Sequence, residues 1–263
     1  MFQFSGRAVL LDVEGTTSSI RFVNEVLFNY ARQNLEGFLR SHWDTDELAA
    51  AREQIARDAG AESFTAWSQD ESSPHPSPLP EGEGVQQRQR ARQRVLIELT
   101  RQMDRDAKTT GLKQVQGLIW REGFTAGKLR AHVYPDVVPA LRRWNEAGLD
   151  VRIYSSGSVL AQRLFFAHTD AGDLSQYFRG NYDTTTGPKR EAMSYTKIAA
   201  DIGLPPAEML FLSDITAELD AARTAGLQTA LVARPENPPA PVGHGHPTIR
   251  DFSEVEISTA KIL

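Results

Sequence analysis

Apolar residues along this chain form short continuous runs near its ends and helical repeats in its middle. The first run, Ala8–Leu11, stops at Asp12, and a second, 209–212, stops just before Asp214. Continuous apolar runs of this length are typical of strands buried on both faces of a parallel sheet. Because ligands of such sheets bind beyond the carboxyl ends of the strands, the pattern places Asp12 and Asp214 at a candidate site.

The middle of the chain shows apolar residues at helical spacing. Between residues 21 and 127 the repeats include Val95, Leu99 and Met103, spaced four apart, and no run has the form of a strand. We predict an inserted, all-helical domain of roughly 100 residues, a size typical of domains. The predicted organisation is a first core segment at 1–20, the helical insertion at 21–127 and the remaining core at 128–263.

A proline-rich stretch, 72–84, interrupts the helical repeats. Its four prolines and two glycines exclude a helix or a central strand. Two interpretations stay open, a lid or partner-binding loop and a solvated insertion, and we favour the insertion. His75 lies inside this stretch and is given no catalytic role.

From residue 128 onward, strands and helices alternate. Strands are predicted at 150–154, 180–182, 209–212 and 229–232, and helices at 137–147, 158–168, 190–202 and 217–225. Such alternation implies a doubly wound parallel sheet, so we predict an α/β, Rossmann-like core that carries the helical insertion. The proline-rich tail, 235–247, is expected to run over the surface.

Composition narrows the class of protein without naming a chemistry. The net charge is −5 and the sequence has no stripe of basic residues, which argues weakly against nucleic-acid binding. The absence of cysteine excludes disulfides and metal sites with thiolate ligands. No apolar stretch reaches the roughly 18 residues of a membrane span. Since the first strand also begins too early for a signal peptide, we expect a cytoplasmic protein that binds neither membranes nor nucleic acid.

Asp12 and Glu14 are the first residues with candidate chemistry. A carboxylate such as Asp12, held beside Mg²⁺, can attack phosphorus and form an aspartyl phosphate. Glu14 points the same way from an extended backbone and could protonate the leaving oxygen, then activate water. Gly15 allows a sharp turn beside a ligand. The alternative is a charged strand end before a turn, but the motifs below favour catalysis.

Two later segments suit a phosphate group. Ser155 and Ser156 follow the strand at 150–154 and precede a helix, where hydroxyl and backbone N–H groups bind anions, although plain N-capping is the alternative. Lys189 stands at the start of a helix, against the helix dipole. That position is easier to explain if the ammonium group faces a phosphate or Asp12, although a lysine taken alone is more often a solvated surface group.

Asp214 adds a second carboxylate for a metal ion. Together with Asp12 it could hold Mg²⁺ directly or through water. Glu218, one helical turn later, is either an outer partner of the metal or simply a favourable acid in a first helical turn. Because the candidate ligands are all oxygens, magnesium is preferred to zinc.

The order of these motifs resembles the haloacid dehalogenase superfamily of aspartate-nucleophile phosphatases: an acid pair, a serine loop, a lysine and a further acid. That superfamily usually has aspartate two residues after the nucleophile, whereas this chain has Glu14. The string Asp12-Val13-Glu14-Gly15-Thr16-Thr17 is similar to that of the enolase-phosphatases of methionine salvage, as are segments 116–120, 153–159 and 211–214. The stretch 72–84 is not part of the family pattern.

The resemblance implies a metal-dependent phosphatase whose helical insertion is a cap domain. Asp12 and Glu14 would be its catalytic acids. One Mg²⁺ per chain would associate with Asp12, Asp214 and Glu14, the last through its backbone carbonyl. A monomer is also implied.

The resemblance further implies the substrate and its contacts. Ser155, Ser156 and Lys189 would hold the phosphoryl group of 2,3-diketo-5-methylthiopentyl 1-phosphate. The enzyme would enolise this dione and then remove phosphate, giving the acireductone 1,2-dihydroxy-3-keto-5-methylthiopentene.

Three alternatives stay open, one within the enzymes and two from other classes of function. A generic phosphatase of the same superfamily would act on another small phosphomonoester, although Glu14 and the Thr16-Thr17 pair argue against it. A receiver-type signalling domain also carries a phosphorylatable aspartate on a parallel sheet and takes its phosphate from a partner kinase, but it would be roughly half this length and would need no helical insertion. A nucleotide-binding module is disfavoured because neither glycine-rich phosphate motif occurs in the sequence.

Overall fold

A computed structural model describes residues 1–69 and 83–258 of the chain. The chain divides into two compact units, one formed by Met1–Val26 with Phe124–Leu263 and one formed by Leu27–Gly123. The first unit holds all the strands of the described residues, and the second is helical. The proline-rich stretch predicted at 72–84 lies, as far as residue 82, outside the described residues.

The first unit is built on parallel β-sheet. Its strands are β1 (Phe2–Phe4), β2 (Ala8–Leu11), β3 (Asp150–Tyr154), β4 (Gly180–Tyr182), β5 (Met209–Ser213), β6 (Gln228–Val232), β7 (Thr248–Ile249) and β8 (Val255–Ile257). Six of them form a sheet in the order β4-β3-β2-β5-β6-β7, and β1 pairs separately with β8. Every pairing is parallel, which confirms the predicted α/β core.

The centre of the six-stranded sheet is the point at which the strand order reverses. From β2 the chain adds β3 and β4 on one side, then returns to place β5 on the other side of β2. Leu11 at the end of β2 is in register with Ile153 of β3 and Leu212 of β5. Residues that follow these strands therefore meet at one edge, the usual ligand position in a doubly wound sheet.

The helices of the middle of the chain lie mainly in the second unit. A π-helical segment, Phe22–Phe28, leads into α1 (Asn29–His42), α2 (Asp46–Asp58), α3 (Phe64–Gln69), α4 (Glu83–Asp104) and α5 (Thr110–Thr125). Leu35 and Leu39 of α1 and Val95 and Leu99 of α4 are almost fully buried. Their spacing of four places them on one face of each helix. This periodicity is why the sequence pattern predicts helices here.

The first unit places helices against its sheet. They are α6 (Val137–Glu146), α7 (Val159–Ala167), α8 (Ala192–Ile202) and α9 (Thr216–Thr224), with single 3₁₀ turns at Ser175–Tyr177, Pro206–Glu208 and Phe252–Glu254. Tyr195 of α8 packs edge-on against Tyr154 of β3 and tilted against Phe211 of β5. Leu219 and Ala222 of α9 join the same buried cluster. These contacts fix the helices whose first turns face the carboxyl edge of the sheet.

The structure adds elements that the sequence pattern did not reveal. Strands β1, β7 and β8 were not predicted, and each is only two or three residues long. The tail at 235–247 is largely exposed, as expected, but Asn237 is half-buried and His246 is buried. None of the helices in the described part of the chain combines the length and apolar character that a membrane span needs.

Candidate active site

Asp12 stands where β2 ends and a tight loop begins. Its backbone N–H donates to the carbonyl of Leu212 at 3.0 Å, so the two central strands hold it. The carbonyl of Val13 then accepts hydrogen bonds from the backbone N–H groups of residues 16, 17 and 18. Gly15 provides the turn with a φ of +70°, a conformation that other residues rarely adopt. We call residues 12–18 the nucleophile loop.

Lys189 reaches the side chain of Asp12 from the loop that precedes α8. Its Nζ lies 2.7 Å from Asp12 Oδ1 and 2.5 Å from Glu218 Oε2, and all three side chains are largely buried. Burial by itself lowers the pKa of Lys189, but the carboxylates of Asp12 and Glu218 outweigh that effect and the pKa is raised. Lys189 is therefore a charged ammonium group that orients the Asp12 carboxylate.

Ser213 also connects the two carboxylates. Its Oγ lies 3.4 Å from Asp12 Oδ2 and 3.1 Å from Glu218 Oε2, and it accepts a hydrogen bond from the N–H of Ile215. Burial and the charge of Asp12 raise the pKa of Glu218, while Lys189 opposes that rise. We call Asp12, Lys189, Ser213, Asp214 and Glu218 the acidic cluster.

Asp214 is the member of the acidic cluster without a compensating partner. Burial, together with the charges of Asp12 and Glu218, raises the pKa of Asp214 to about 7. Its Oδ1 is buried and has no hydrogen-bond partner, and its Oδ2 lies where a side chain on Gly15 would begin. Three carboxylates against the one ammonium group of Lys189 leave two formal negative charges, which a divalent cation would neutralise.

The donor set suits magnesium, an ion that keeps part of its water shell, better than it suits an ion held by protein ligands alone. Across residues 1–69 and 83–258, no group of three or more histidine, aspartate or glutamate side chains is arranged to hold a metal by itself. Mg²⁺ usually keeps several waters and takes one or two carboxylates plus a substrate phosphate. Asp12 and Asp214 fit that requirement, and the unpartnered Oδ1 of Asp214 provides a ligand atom.

Glu14 lies inside the nucleophile loop, half-buried and two residues beyond Asp12. Its backbone pairs with that of Ser18 in an isolated bridge, which closes the loop. The geometry keeps Glu14 beside the acidic cluster, and its role as an acid and base stays a prediction.

Ser155 and Ser156 follow β3, the neighbour of β2. Ser155 Oγ accepts a hydrogen bond from the N–H of Gly157 at 3.2 Å, whereas Ser156 is exposed. Capping of α7 falls instead to Ser158, whose Oγ accepts from the N–H of Ala161. Neither predicted phosphate ligand is therefore used as the helix cap, and both stand at the same sheet edge as Asp12.

Two residues that sequence reasoning missed hold the far side of the nucleophile loop. Arg234, which follows β6, donates to the carbonyl of Thr16 from Nε and Nη2, at 3.0 and 2.8 Å. Asn237 donates from Nδ2 to the carbonyl of Gly15 at 2.8 Å. Both are more than 215 residues from their partners, and no local signal could have identified them. For Glu218 the sequence leaves two interpretations open, and its spacing of four from Asp214 is the signal that favours a place in the acidic cluster.

Comparison with known proteins identifies relatives over nearly the whole chain. A model of the family "Hydrolase: haloacid dehalogenase-like hydrolase" matches residues 7–226. A protein of Azotobacter vinelandii named "Enolase-phosphatase E1" is 43% identical over 250 residues, covering 95% of this chain and 97% of its own. A protein of the same name from Sorangium cellulosum is 46% identical over 235 residues, covering 89% and 91%.

Solved structures show the same fold. The UTR4 protein of Saccharomyces cerevisiae superposes with a TM-score of 0.73 at 29% identity, covering 95% of this chain and all of that one. CbbY of Rhodobacter sphaeroides, solved with xylulose-(1,5)bisphosphate, gives a TM-score of 0.53 at 16% identity, covering 96% and 97%, which is a likeness of fold alone.

Proposed function

Because this chain belongs to the haloacid dehalogenase-like hydrolases, and among them to the enolase-phosphatases, we propose that it acts on 2,3-diketo-5-methylthiopentyl 1-phosphate. It would enolise this dione and hydrolyse its phosphate ester, giving 1,2-dihydroxy-3-keto-5-methylthiopentene and phosphate. The chain is a phosphatase of methionine salvage, and the roles of its individual residues are part of the proposal.

The observation that carries the proposal is the acidic cluster at the sheet's switch point. Asp12 is buried, paired with Lys189 at 2.7 Å, and part of a cluster whose formal charges leave a surplus of two negative charges. A carboxylate oriented in this way is an available nucleophile, and the surplus charge suits a metal ion bound with a phosphate.

Asp12 is the proposed nucleophile of the phosphatase step. Its carboxylate attacks phosphorus, a bond forms between Asp12 and the phosphoryl group, and the bond from phosphorus to the substrate oxygen breaks. Glu14 gives its proton to that oxygen, and then takes a proton from the water that hydrolyses the aspartyl phosphate. Each group ends as it began, so the cycle leaves free phosphate and an unchanged protein.

Lys189, Ser155 and Ser156 are the proposed ligands of the phosphoryl group. Lys189 already lies within ion-pair distance of Asp12, so its ammonium group can neutralise charge on the phosphoryl oxygens as the nucleophile approaches. The serines stand on the adjacent strand end, where their hydroxyls can donate.

A magnesium ion is the proposed cofactor, with Asp12, Asp214 and the backbone carbonyl of Glu14 as its protein ligands. When bound, Mg²⁺ would polarise the dione and neutralise charge during phosphoryl transfer. The unpartnered Asp214 Oδ1 supports this assignment. A monomeric state and a cytoplasmic location stay predictions, the first testable by light scattering.

The proposed substrate is tested by comparing it with a panel of common phosphomonoesters. We expect the dione phosphate to be turned over far faster than the panel, with the ultraviolet absorbance of the enol rising no later than phosphate is released. A phosphonate analogue, whose carbon–phosphorus bond cannot be hydrolysed, should enolise and stop. Equal rates on simple esters and no enol signal from the bound analogue would favour a generic phosphatase instead.

A further inference from the structure

Asn237 has one polar atom that the mechanism above does not use. The residue lies in the loop after β6, with its side chain half-buried over the nucleophile loop. Its Nδ2 donates to the carbonyls of Gly15 at 2.8 Å and Val232 at 3.2 Å. Its Oδ1 is buried and has no hydrogen-bond partner, a costly state for a polar atom.

The orientation of the Asn237 amide is fixed by its neighbours. Side-chain amides are assigned from their hydrogen-bond networks, because their oxygen and nitrogen atoms are otherwise hard to tell apart. Here two carbonyl oxygens face one amide atom, so that atom must be the donor nitrogen. A flipped amide would set three acceptors against one another. The unpartnered atom is therefore the oxygen.

Asn237 Oδ1 faces the same place as the Asp214 carboxylate. A side chain built on Gly15 would begin 3.1 Å from Asn237 Oδ1 and would overlap Asp214 Oδ2. Asp214 Oδ1 is also buried without a partner. Acceptor oxygens from two different loops thus converge beside Gly15, and neither buried unpartnered oxygen has a donor among the described residues, an arrangement that suits a cation or the water bound to it.

We propose that Asn237 is a positioning residue for the magnesium ion, accepting through Oδ1 a hydrogen bond from a water molecule that the ion carries. This inference rests on the magnesium site of the proposed function and extends it to a residue outside the predicted set. Mg²⁺ retains several waters in protein sites, and outer partners that orient its ligands commonly change metal affinity by 10- to 100-fold. The hydrogen bond that Asn237 Nδ2 donates to the carbonyl of Gly15 would link the nucleophile loop to the same ion.

The test measures Mg²⁺ binding to the full chain by calorimetry, without substrate. We expect Asn237→Leu to raise the Kd for Mg²⁺ by about 10-fold or more. Asn145→Leu is the matched control, because Asn145 Nδ2 also donates to two carbonyls, those of Leu141 and Tyr177, at 3.0 and 3.2 Å. Asn145→Leu should lower stability similarly and leave the Kd unchanged.

A second variant separates the oxygen from the amide group. Asn237→Asp keeps an oxygen at the Oδ1 position but sets a second oxygen against the carbonyls of Gly15 and Val232. It should therefore lose stability and still bind Mg²⁺ more tightly than Asn237→Leu. The inference is overturned if Asn237→Leu binds Mg²⁺ like the wild type, if Asn145→Leu weakens binding equally, or if Asn237→Asp weakens it as much as Asn237→Leu. The first of these results would identify the ligand of Oδ1 as an ordinary water.

Failure of this inference can be told from failure of the proposed function. If the wild-type chain binds no Mg²⁺ at all, the magnesium site and the inference both fall. If the wild type binds Mg²⁺ and the three variants do not follow the expected order, only the role of Asn237 falls.

Discussion

Two buried cations contact the nucleophile loop at different points, and their surroundings differ in charge and in hydrogen bonding. Lys189 contacts Asp12 at the start of the loop, among carboxylates whose total charge exceeds its own. Arg234 contacts the carbonyl of Thr16 further along the loop and is paired with a single acid, Asp136. One environment carries surplus charge and the other is neutral.

The Arg234 environment is also saturated with hydrogen bonds. The five donors of its guanidinium group are used by Asp136, by the carbonyl of Thr16 and by that of Arg250. The rings of Tyr134 and Phe252 lie 4.2 and 4.9 Å from its central carbon. Because all the donors of Arg234 are used within the protein, none is free to bind a ligand, and Arg234 serves to fix the loop. The acidic cluster keeps unsatisfied carboxylate oxygens, and it is therefore the candidate site of chemistry.

The largest expected effect comes from removing the nucleophile. Asp12→Asn should lower phosphate release by about 10³-fold or more, since an amide cannot form the acyl phosphate and the parts of a catalytic set act together. Stability should change little, because the lost pair with Lys189 is offset by less repulsion from Glu218. Turnover and circular dichroism would be measured on the same sample, and retention of most activity would remove Asp12 from this role.

The opposite result is expected in the neutral environment. Asp136→Asn should lower the free energy of unfolding by about 3 kcal/mol, because it leaves the buried Arg234 without a counter-charge. Chemical denaturation measures the change. Glu47→Gln is the control, because it removes the bidentate partner of Arg121 at the surface, where an ion pair contributes about 1 kcal/mol or less. Equal losses in the two variants would contradict the contrast between saturated and exposed pairs.

Magnesium should neutralise the surplus charge and so stabilise the fold. At a Mg²⁺ concentration of about 100 times Kd, linkage predicts about 2.7 kcal/mol of added stability, visible as a higher Tm. The measurement belongs at a pH above the raised pKa of Asp214, where that carboxyl is ionised. Asp214→Ala should show a smaller rise in Tm and a weaker dependence of activity on Mg²⁺. Full activity in excess chelator would rule out the magnesium site.

The sequence predicted those parts of the molecule whose signals are local. Strands β2 and β5 are unbroken buried runs, and Asp12 and Asp214 stand directly at or beyond their ends, so a parallel sheet was enough to bring them together. Lys189 could be singled out from the sequence because a lysine at the start of a helix opposes the helix dipole, which suggests an anionic partner. The family resemblance implies residue roles that no spacing could provide, and these roles stay predictions.

The remaining parts depend on contacts between distant segments. Asn237 meets Gly15 across 222 positions, and Arg234 meets Thr16 across 218, each through a backbone carbonyl that has no signature in sequence. Strands β1 and β8 pair across the full length of the chain with three residues each, too few for a pattern. These features follow from the assembled sheet, and only a three-dimensional structure reveals them.

The smallest expected effect concerns Ser213, which tests whether the acidic cluster is tuned by hydrogen bonds as well as charge. Ser213→Ala removes the hydroxyl that approaches Asp12 and Glu218, and it leaves the N–H of Ile215 without its acceptor. We expect a loss of about 1 kcal/mol in stability. A similar loss in orienting Asp12 would lower kcat about five-fold. Thr229→Val is the control, because Thr229 has a buried hydroxyl bonded to His246 and belongs to no part of the acidic cluster. It should lower stability by a similar amount and leave kcat unchanged. If both variants lower kcat equally, the effect of Ser213 is one of stability, and the orientation of Asp12 depends on Lys189 alone.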